Sequence, residues 1–177
     1  QALTLDKEVG CKAGMATQYG NLGVVAAKRG DWDTAVDYYN QALALDKELG
    51  CKEGMARHQG NLGDVAFKQG DLDAAVEYYT QALALDKELG RKEGMATHYG
   101  NLGLVAEKRG DSDMAVDYYN QALALDHDLG RKEGMVRQYG HLGVAAAKQG
   151  DLELAVDYYN QALTLDKEVG CKAGMAT

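Results

Sequence analysis

Along residues 52–69 the small and apolar side chains return at steps of three and four, so that Met55, Gln59, Leu62 and Ala66 fall on one face of a helix. The same positions elsewhere read Met15, Tyr19, Leu22, Ala26 and Met95, Tyr99, Leu102, Ala106. A second stretch, 72–89, carries Leu72, Ala75, Val76, Tyr79, Ala82 and Leu83 at the same helical spacing. No proline interrupts either run. The punctuation between them agrees. Gly70 suits a left-handed helix end, Asp71 can cap the next helix through its carboxylate, and Gly50-Cys51 supplies the link from one pair to the next. Connections this short require antiparallel neighbours.

The pair recurs. All 22 glycines fall at five positions repeated every 40 residues, beginning with Gly10, Gly14, Gly20, Gly23 and Gly30. Residues 41–80 and 81–120 are identical at 30 of 40 positions. The chain is therefore expected to be one array of four periods, 1–40, 41–80, 81–120 and 121–160, with a partial fifth, 161–177, that matches 1–17 at every position. A helical pair cannot bury its own apolar stripe, whereas stacked pairs share a continuous core. The expected fold is all-α, an α-solenoid of stacked antiparallel helix pairs. Glycine inside a helix costs about 1 kcal/mol relative to alanine, so close helix approach is the expected reason for Gly20, Gly23 and their copies.

The string Tyr19-Gly20-Asn21-Leu22-Gly23, followed by Gly30, Ala35, Tyr39 and Ala42, resembles the tetratricopeptide repeat, and the resemblance extends over the whole chain. It implies a right-handed superhelix whose usual role is to bind proteins. The period of 40 in place of about 34, and Lys47 where the family usually has proline, are similar to the subclass that includes kinesin light chain and the Pins-type adaptors. Ala26, Ala66, Ala106 and Ala146 replace a tyrosine of the family's first helix, and Gln59 replaces the aromatic present at Tyr19. The family pattern places Tyr39 and its copies inward, and Tyr38, Tyr78, Tyr118 and Tyr158 over the next period with their hydroxyls toward solvent.

Opposite the apolar face of the first helix runs a second row: Thr17, Asn21, Val24, Lys28; Arg57, Asn61, Asp64, Lys68; Thr97, Asn101, Leu104, Lys108; and Arg137, His141, Val144, Lys148. By similarity to the family this row lines the concave, peptide-binding groove. An asparagine amide offers a donor and an acceptor that match a peptide bond. With helices packed about 8–10 Å apart and an extended peptide advancing about 3.3 Å per residue, each asparagine would meet roughly one peptide residue in three. The lysines and arginines favour an acidic or carboxylate-terminated protein or peptide partner, partly opposed by Asp64 and Glu107. Alternatively, asparagine bonds inside the scaffold and lysine simply complements the helix dipole. The copies vary mainly at 24/64/104/144 and 27/67/107/147, beside this row; the variation gives each pocket its own character or reflects lax packing.

Charge and composition narrow the classes. A net charge of −8 is the opposite of the footprint that phosphate neutralisation needs, so nucleic acid is not an expected partner. No run of apolar residues is long enough to span a membrane, and no secretory leader is read at the amino end. Three cysteines, Cys11, Cys51 and Cys171, are expected as free thiols in a reducing compartment, the cytoplasm. Asp31-Trp32-Asp33 starts like a calcium loop but has Val36 where the loop needs glycine. His58 and His98 have no zinc-ligand partners at suitable spacing and are expected to be exposed. No cofactor is called for. No nucleophile–base pair or phosphate loop is present, so an enzyme is not expected.

A second function remains open from the same residues. The terminal stretches are expected to expose apolar stripe, which is consistent with a structural array stacking head to tail or with a piece of a longer repeat protein.

Overall fold

The computed structural model describes residues 2–174, with side chains described over 10–170. Among the described residues it contains eight helices and no strand: α1 (Ala2–Lys28), α2 (Trp32–Leu49), α3 (Lys52–Gln69), α4 (Leu72–Glu88), α5 (Lys92–Arg109), α6 (Ser112–Asp128), α7 (Lys132–Gln149) and α8 (Leu152–Gly174). They form two compact units, Gln1–Gly90 and Arg91–Thr177. In the first, α1 packs on α2, α2 on α3 and α3 on α4; in the second, α5, α6, α7 and α8 pack in the same order. Among the described residues, no helix is long and apolar enough to cross a membrane.

The helix ends follow from the residues expected to make them. Asp31, Asp71, Asp111 and Asp151 each accept a hydrogen bond from the backbone N–H three residues on, at 3.4, 3.0, 3.1 and 3.0 Å. Gly50 and Gly70 take φ of 64° and 87°, which an L side chain rarely adopts. The amide beyond Gly50 closes the end: Cys51 N–H donates to the Asp46 carbonyl at 2.8 Å. At the outer copies of this link the structure departs from the sequence reading. Helices α1 and α8 run without a break through Gly10 and Gly170.

The helical glycines make room for rings. A Cβ on Gly23, Gly63, Gly103 or Gly143 would lie within 2.6 Å of the ring of Tyr39, Tyr79, Tyr119 or Tyr159, respectively. Tyr39, Tyr79 and Tyr119 are buried, as the family pattern implied. The preceding tyrosines also meet the first helix of their own pair: Tyr38 stacks on Tyr19, while Tyr118 and Tyr158 lie tilted against Tyr99 and Tyr139, all with ring centroids 6.2 Å apart, and Tyr38 packs as well on the cluster that holds Leu62 and Val65 of the next period. Gln59 takes the aromatic's place by donating to Gln81 Oε1 at 2.7 Å.

Equivalent positions differ in burial along the array. Leu62, Leu102 and Leu142 are 1%, 3% and 0% exposed, but Leu22, at the same phase, is 44% exposed. Likewise Tyr159 and Leu163 are 43% and 51% exposed, against 3% and 7% for Tyr39 and Leu43. A surface ion pair at one repeated position ties the first helix of each pair to its second: Lys12–Glu48, Lys52–Glu88, Lys92–Asp128 and Lys132–Glu168.

Candidate functional site

In the unit Gln1–Gly90 the polar row forms two adjoining depressions between α1, α2 and α3. One, of 140 Å³, is lined by Thr17, Gly20, Asn21, Val24, Arg57, His58 and Asn61. The other, of 280 Å³, is lined by Val24, Ala27, Lys28, Trp32, Tyr39, Asn61, Asp64, Val65 and Lys68. All eight row residues of the first two copies therefore border one or other of two neighbouring recesses, which share Val24 and Asn61 as wall. Trp32, Ala27 and Val65 supply apolar wall that the sequence reading did not assign; Trp32 sits there because it follows the Asp31 cap at the foot of α2.

The charges in this recess are unequal in freedom. Tyr79 donates its hydroxyl to Asp64 Oδ1 at 2.8 Å. Burial raises the Asp64 pKa, with the Tyr79 hydrogen bond and nearby Lys68 pulling the other way. Burial and the Asp64 carboxylate push the Tyr79 hydroxyl upward, so it stays protonated as the donor. Lys28, Arg57 and Lys68 are exposed at the rim. The Thr17 hydroxyl is already spent on the Ala13 carbonyl at 3.1 Å.

In the unit Arg91–Thr177 the same row is arranged differently. Thr97 donates to the Glu93 carbonyl at 3.1 Å, Leu104 packs on the buried cluster around Tyr119, and His141 stacks on Tyr119 with centroids 4.8 Å apart. Lys148 pairs with Glu107, which also accepts from the Tyr119 hydroxyl at 2.9 Å. Burial works to raise the Glu107 pKa, but the hydrogen bonds from Lys148 and Tyr119 outweigh it and hold it below the ordinary range. Asn101 and Val144 are half-buried, and Lys108 and Arg137 are exposed. Asp64 and Glu107 thus do the same work from two different phases, each accepting from the tyrosine of its own pair.

His58 and His98 correct the sequence expectation of exposure: both are buried, at 1% and 7%. The His58 Nε2 lies 3.3 Å from Asp46 Oδ2, and a Cβ on Gly54 would lie 2.5 Å from Asp46 Oδ1, so glycine makes room for the carboxylate. Burial, and then the neighbouring Arg57 charge, lower the His58 pKa to about 4, leaving the ring neutral near pH 7. Burial raises that of Asp46, against the pull of Arg57. The equivalent contact in the other unit is Gln138 Nε2 to Asp126 Oδ2 at 3.5 Å. Cys11 and Cys51 are exposed free thiols; the Cys171 side chain lies outside the described residues.

The tetratricopeptide repeat profile matches residues 13–88, 54–128 and 94–168, overlapping copies that together cover most of the chain. The chain belongs to the tetratricopeptide repeat family. Solved tetratricopeptide-like structures agree in fold. BtubC (BKLC) from P. vanneervenii superposes with a TM-score of 0.79 at 23% identity, over 88% of this chain and 64% of that one. RapI in its apo form gives a TM-score of 0.82 at 17% identity, over 92% and 60%. The Rap conjugation gene regulator of plasmid pLS20, solved in complex with the Phr* peptide, gives 0.78 at 19% identity, over 89% and 43%. The chain thus spans less than two thirds of each of these three. No curated protein matches the sequence.

Proposed function

We propose that this tetratricopeptide repeat chain is a non-catalytic protein-interaction scaffold, and that its α1–α3 recess takes an extended peptide segment of a partner protein. The observation that carries this reading is the convergence of Thr17, Asn21, Val24, Lys28, Arg57, Asn61, Asp64 and Lys68 on two neighbouring recesses with a shared wall at Val24 and Asn61. The 280 Å³ part, walled by Val24, Ala27, Trp32 and Val65, suits an apolar side chain of the peptide. The amides of Asn21 and Asn61 border the path of its backbone. Three rim cations, Lys28, Arg57 and Lys68, favour acidic residues or a terminal carboxylate beside that anchor. The Phr* peptide bound by the Rap regulator supports a peptide as the ligand type. Within the second unit Thr97, Asn101, Leu104, Lys108, Arg137, His141, Val144 and Lys148 form a weaker counterpart, because Lys148 and Glu107 already satisfy each other. The exposed thiols of Cys11 and Cys51 fit a reducing compartment, and we place the protein's work in the cytoplasm.

A panel of defined synthetic peptides, each with one central aromatic or leucine and a graded number of aspartates, tests this by fluorescence anisotropy. Binding is expected to rise with acidic content and to weaken about tenfold or more in Asn61→Ala, with helicity unchanged. Affinity that ignores both the aspartates and Asn61→Ala would sink the assignment.

A further inference from the structure

The tyrosine whose ring fills each glycine notch also carries a hydroxyl, and the copies satisfy it differently. In the unit Arg91–Thr177, Tyr119 donates to Glu107 Oε2 at 2.9 Å, and Lys148 pairs with the other oxygen of the same carboxylate. Glu107 is thereby held between one hydroxyl and one ammonium group. In the unit Gln1–Gly90, Tyr79 donates to Asp64 Oδ1 at 2.8 Å. Tyr39 is the exception. Val24 and Ala27 stand where Asp64 and Glu107 stand in the later copies, so the first helix of its pair offers no acid to accept from it. Among the described residues the Tyr39 hydroxyl has no hydrogen-bond partner, although the residue is only 3% exposed. Burial and the nearby Asp64 carboxylate push its pKa upward, so it stays protonated and able to donate.

The surroundings of Tyr39 are otherwise the Glu107 arrangement with the glutamate cut away. Two periods earlier in the chain, Glu107, Tyr119 and Lys148 become Ala27, Tyr39 and Lys68. All three of these residues line the 280 Å³ recess. The space beside the Ala27 methyl group is therefore bordered by the same donor hydroxyl and the same ammonium side chain that hold Glu107 in the other unit. Lys28 lines the recess too, so two cations face one acid, Asp64, whose Oδ1 is already engaged by Tyr79.

Resting on the reading of this recess as a peptide site, we propose that it takes a glutamate side chain of the bound peptide. Its carboxylate accepts from the Tyr39 hydroxyl and pairs with Lys68, as Glu107 does with Tyr119 and Lys148. A side chain fits better than a chain terminus, because the internal occupant is itself a glutamate side chain and because Asn61 borders the neighbouring recess as well, along which the backbone can continue. Tyr39 then determines specificity, and the residue at phase 27 decides whether a pair keeps its carboxylate internal or draws it from a partner.

Peptides with acetylated and amidated ends test this by fluorescence anisotropy. Each has one central leucine and a single glutamate walked through the flanking positions, and each is compared with its glutamine counterpart; a third set carries glutamine and a free carboxyl end. At one placement the glutamate peptide is expected to bind the wild-type chain about tenfold more tightly than its counterpart. Tyr39→Phe removes the hydroxyl but leaves the ring in the Gly23 notch. It is expected to shrink that ratio to about threefold or less, with helicity and glutamine-peptide affinity unchanged. Ala27→Glu rebuilds the Glu107 arrangement inside the recess, and is expected to erase the ratio and to raise the melting temperature.

A ratio near one at every placement overturns the proposal, as does a ratio that survives either substitution undiminished. So does an Ala27→Glu chain that melts below the wild type, since the site then rejects a carboxylate. A preference shown only by the peptides with a free carboxyl end overturns it as well. In each of these cases the peptide-scaffold reading stands wherever the glutamine peptides still weaken in Asn61→Ala. Peptides that fail to bind in every form refute both.

Discussion

Three glycine-to-alanine substitutions on first helices separate helix propensity from the space a tyrosine ring requires. Alanine gains about 1 kcal/mol over glycine in a helix interior wherever a methyl group can be accommodated. At Gly140 nothing lies within 4 Å of the added Cβ, so Gly140→Ala in the single chain is expected to stabilise by about that amount. At Gly103 the Cβ would lie 2.6 Å from Tyr119 Cδ1, and the ring, 0% exposed, must retreat by roughly 1 Å to reach ordinary contact. Overpacking of this kind costs about 1–3 kcal/mol. The retreat also strains the 2.9 Å hydrogen bond to Glu107, a charge-assisted bond worth about 1.5–3 kcal/mol when lost. Set against the propensity gain, Gly103→Ala is expected to destabilise by about 2–3 kcal/mol, lowering the melting temperature by roughly 5–10 °C for a chain of this size. Gly143→Ala lies between: Tyr159 is 43% exposed and can swing outward, so the clash and the propensity gain nearly cancel. Urea titration followed by far-ultraviolet circular dichroism, at concentrations where the chain is single, gives the order directly. If Gly103→Ala proves as stable as the wild type, the rings do not dictate these glycines and the packing argument fails.

Two further predictions rest on single contacts. Asp111→Ala removes the side-chain acceptor for Met114 N–H and is expected to cost about 1 kcal/mol in the same titration, with Asp111→Asn recovering most of it; equal losses in both would disconnect the cap from stability. Acid is expected to weaken the fold through His58, whose pKa falls from 6.5 in the unfolded chain to about 4 in the folded one. The unfolded chain binds the proton first, so this contribution is complete above pH 6.5 and is lost as pH falls toward 4. Asp46, shifted upward, acts in the opposite sense and partly offsets it. His58→Gln, which copies the residue at Gln138, should flatten the profile across that window, and an unchanged slope would mean that His58 is protonated in the folded state.

Much of the architecture was legible because the residues that end a helix act locally. Asp71 and Gly70 need only their own neighbours to cap and turn the chain, and α3 spans Lys52–Gln69 as the spacing anticipated. What the sequence concealed depends on elements distant along the chain. His58 is polar and looks like a surface residue until Asp46, from the preceding helix, is placed beside it; the hint was Gly54, whose missing side chain leaves room for that carboxylate. The inequality of the polar row was hidden for the same reason. Asp64 and Glu107 stand at different phases, and only the fold shows that both reach the tyrosine hydroxyl of their own pair. That Lys148 is neutralised follows from the single substitution that makes residue 107 acidic, where the residue at the same separation from Lys68 is Ala27.

The ring-in-notch contact has a consequence for how such a gene can change. Gly23 with Tyr39, Gly63 with Tyr79 and Gly103 with Tyr119 each complete their contact within one helical pair. DNA coding for copies that agree at 30 of 40 positions is prone to unequal crossing-over, which removes or duplicates whole periods. Wherever in the period the exchange falls, the hybrid pair inherits a glycine and a tyrosine in the same register. The number of pairs is therefore free to drift between lineages, while mutation within a pair is held by the volume of one aromatic ring.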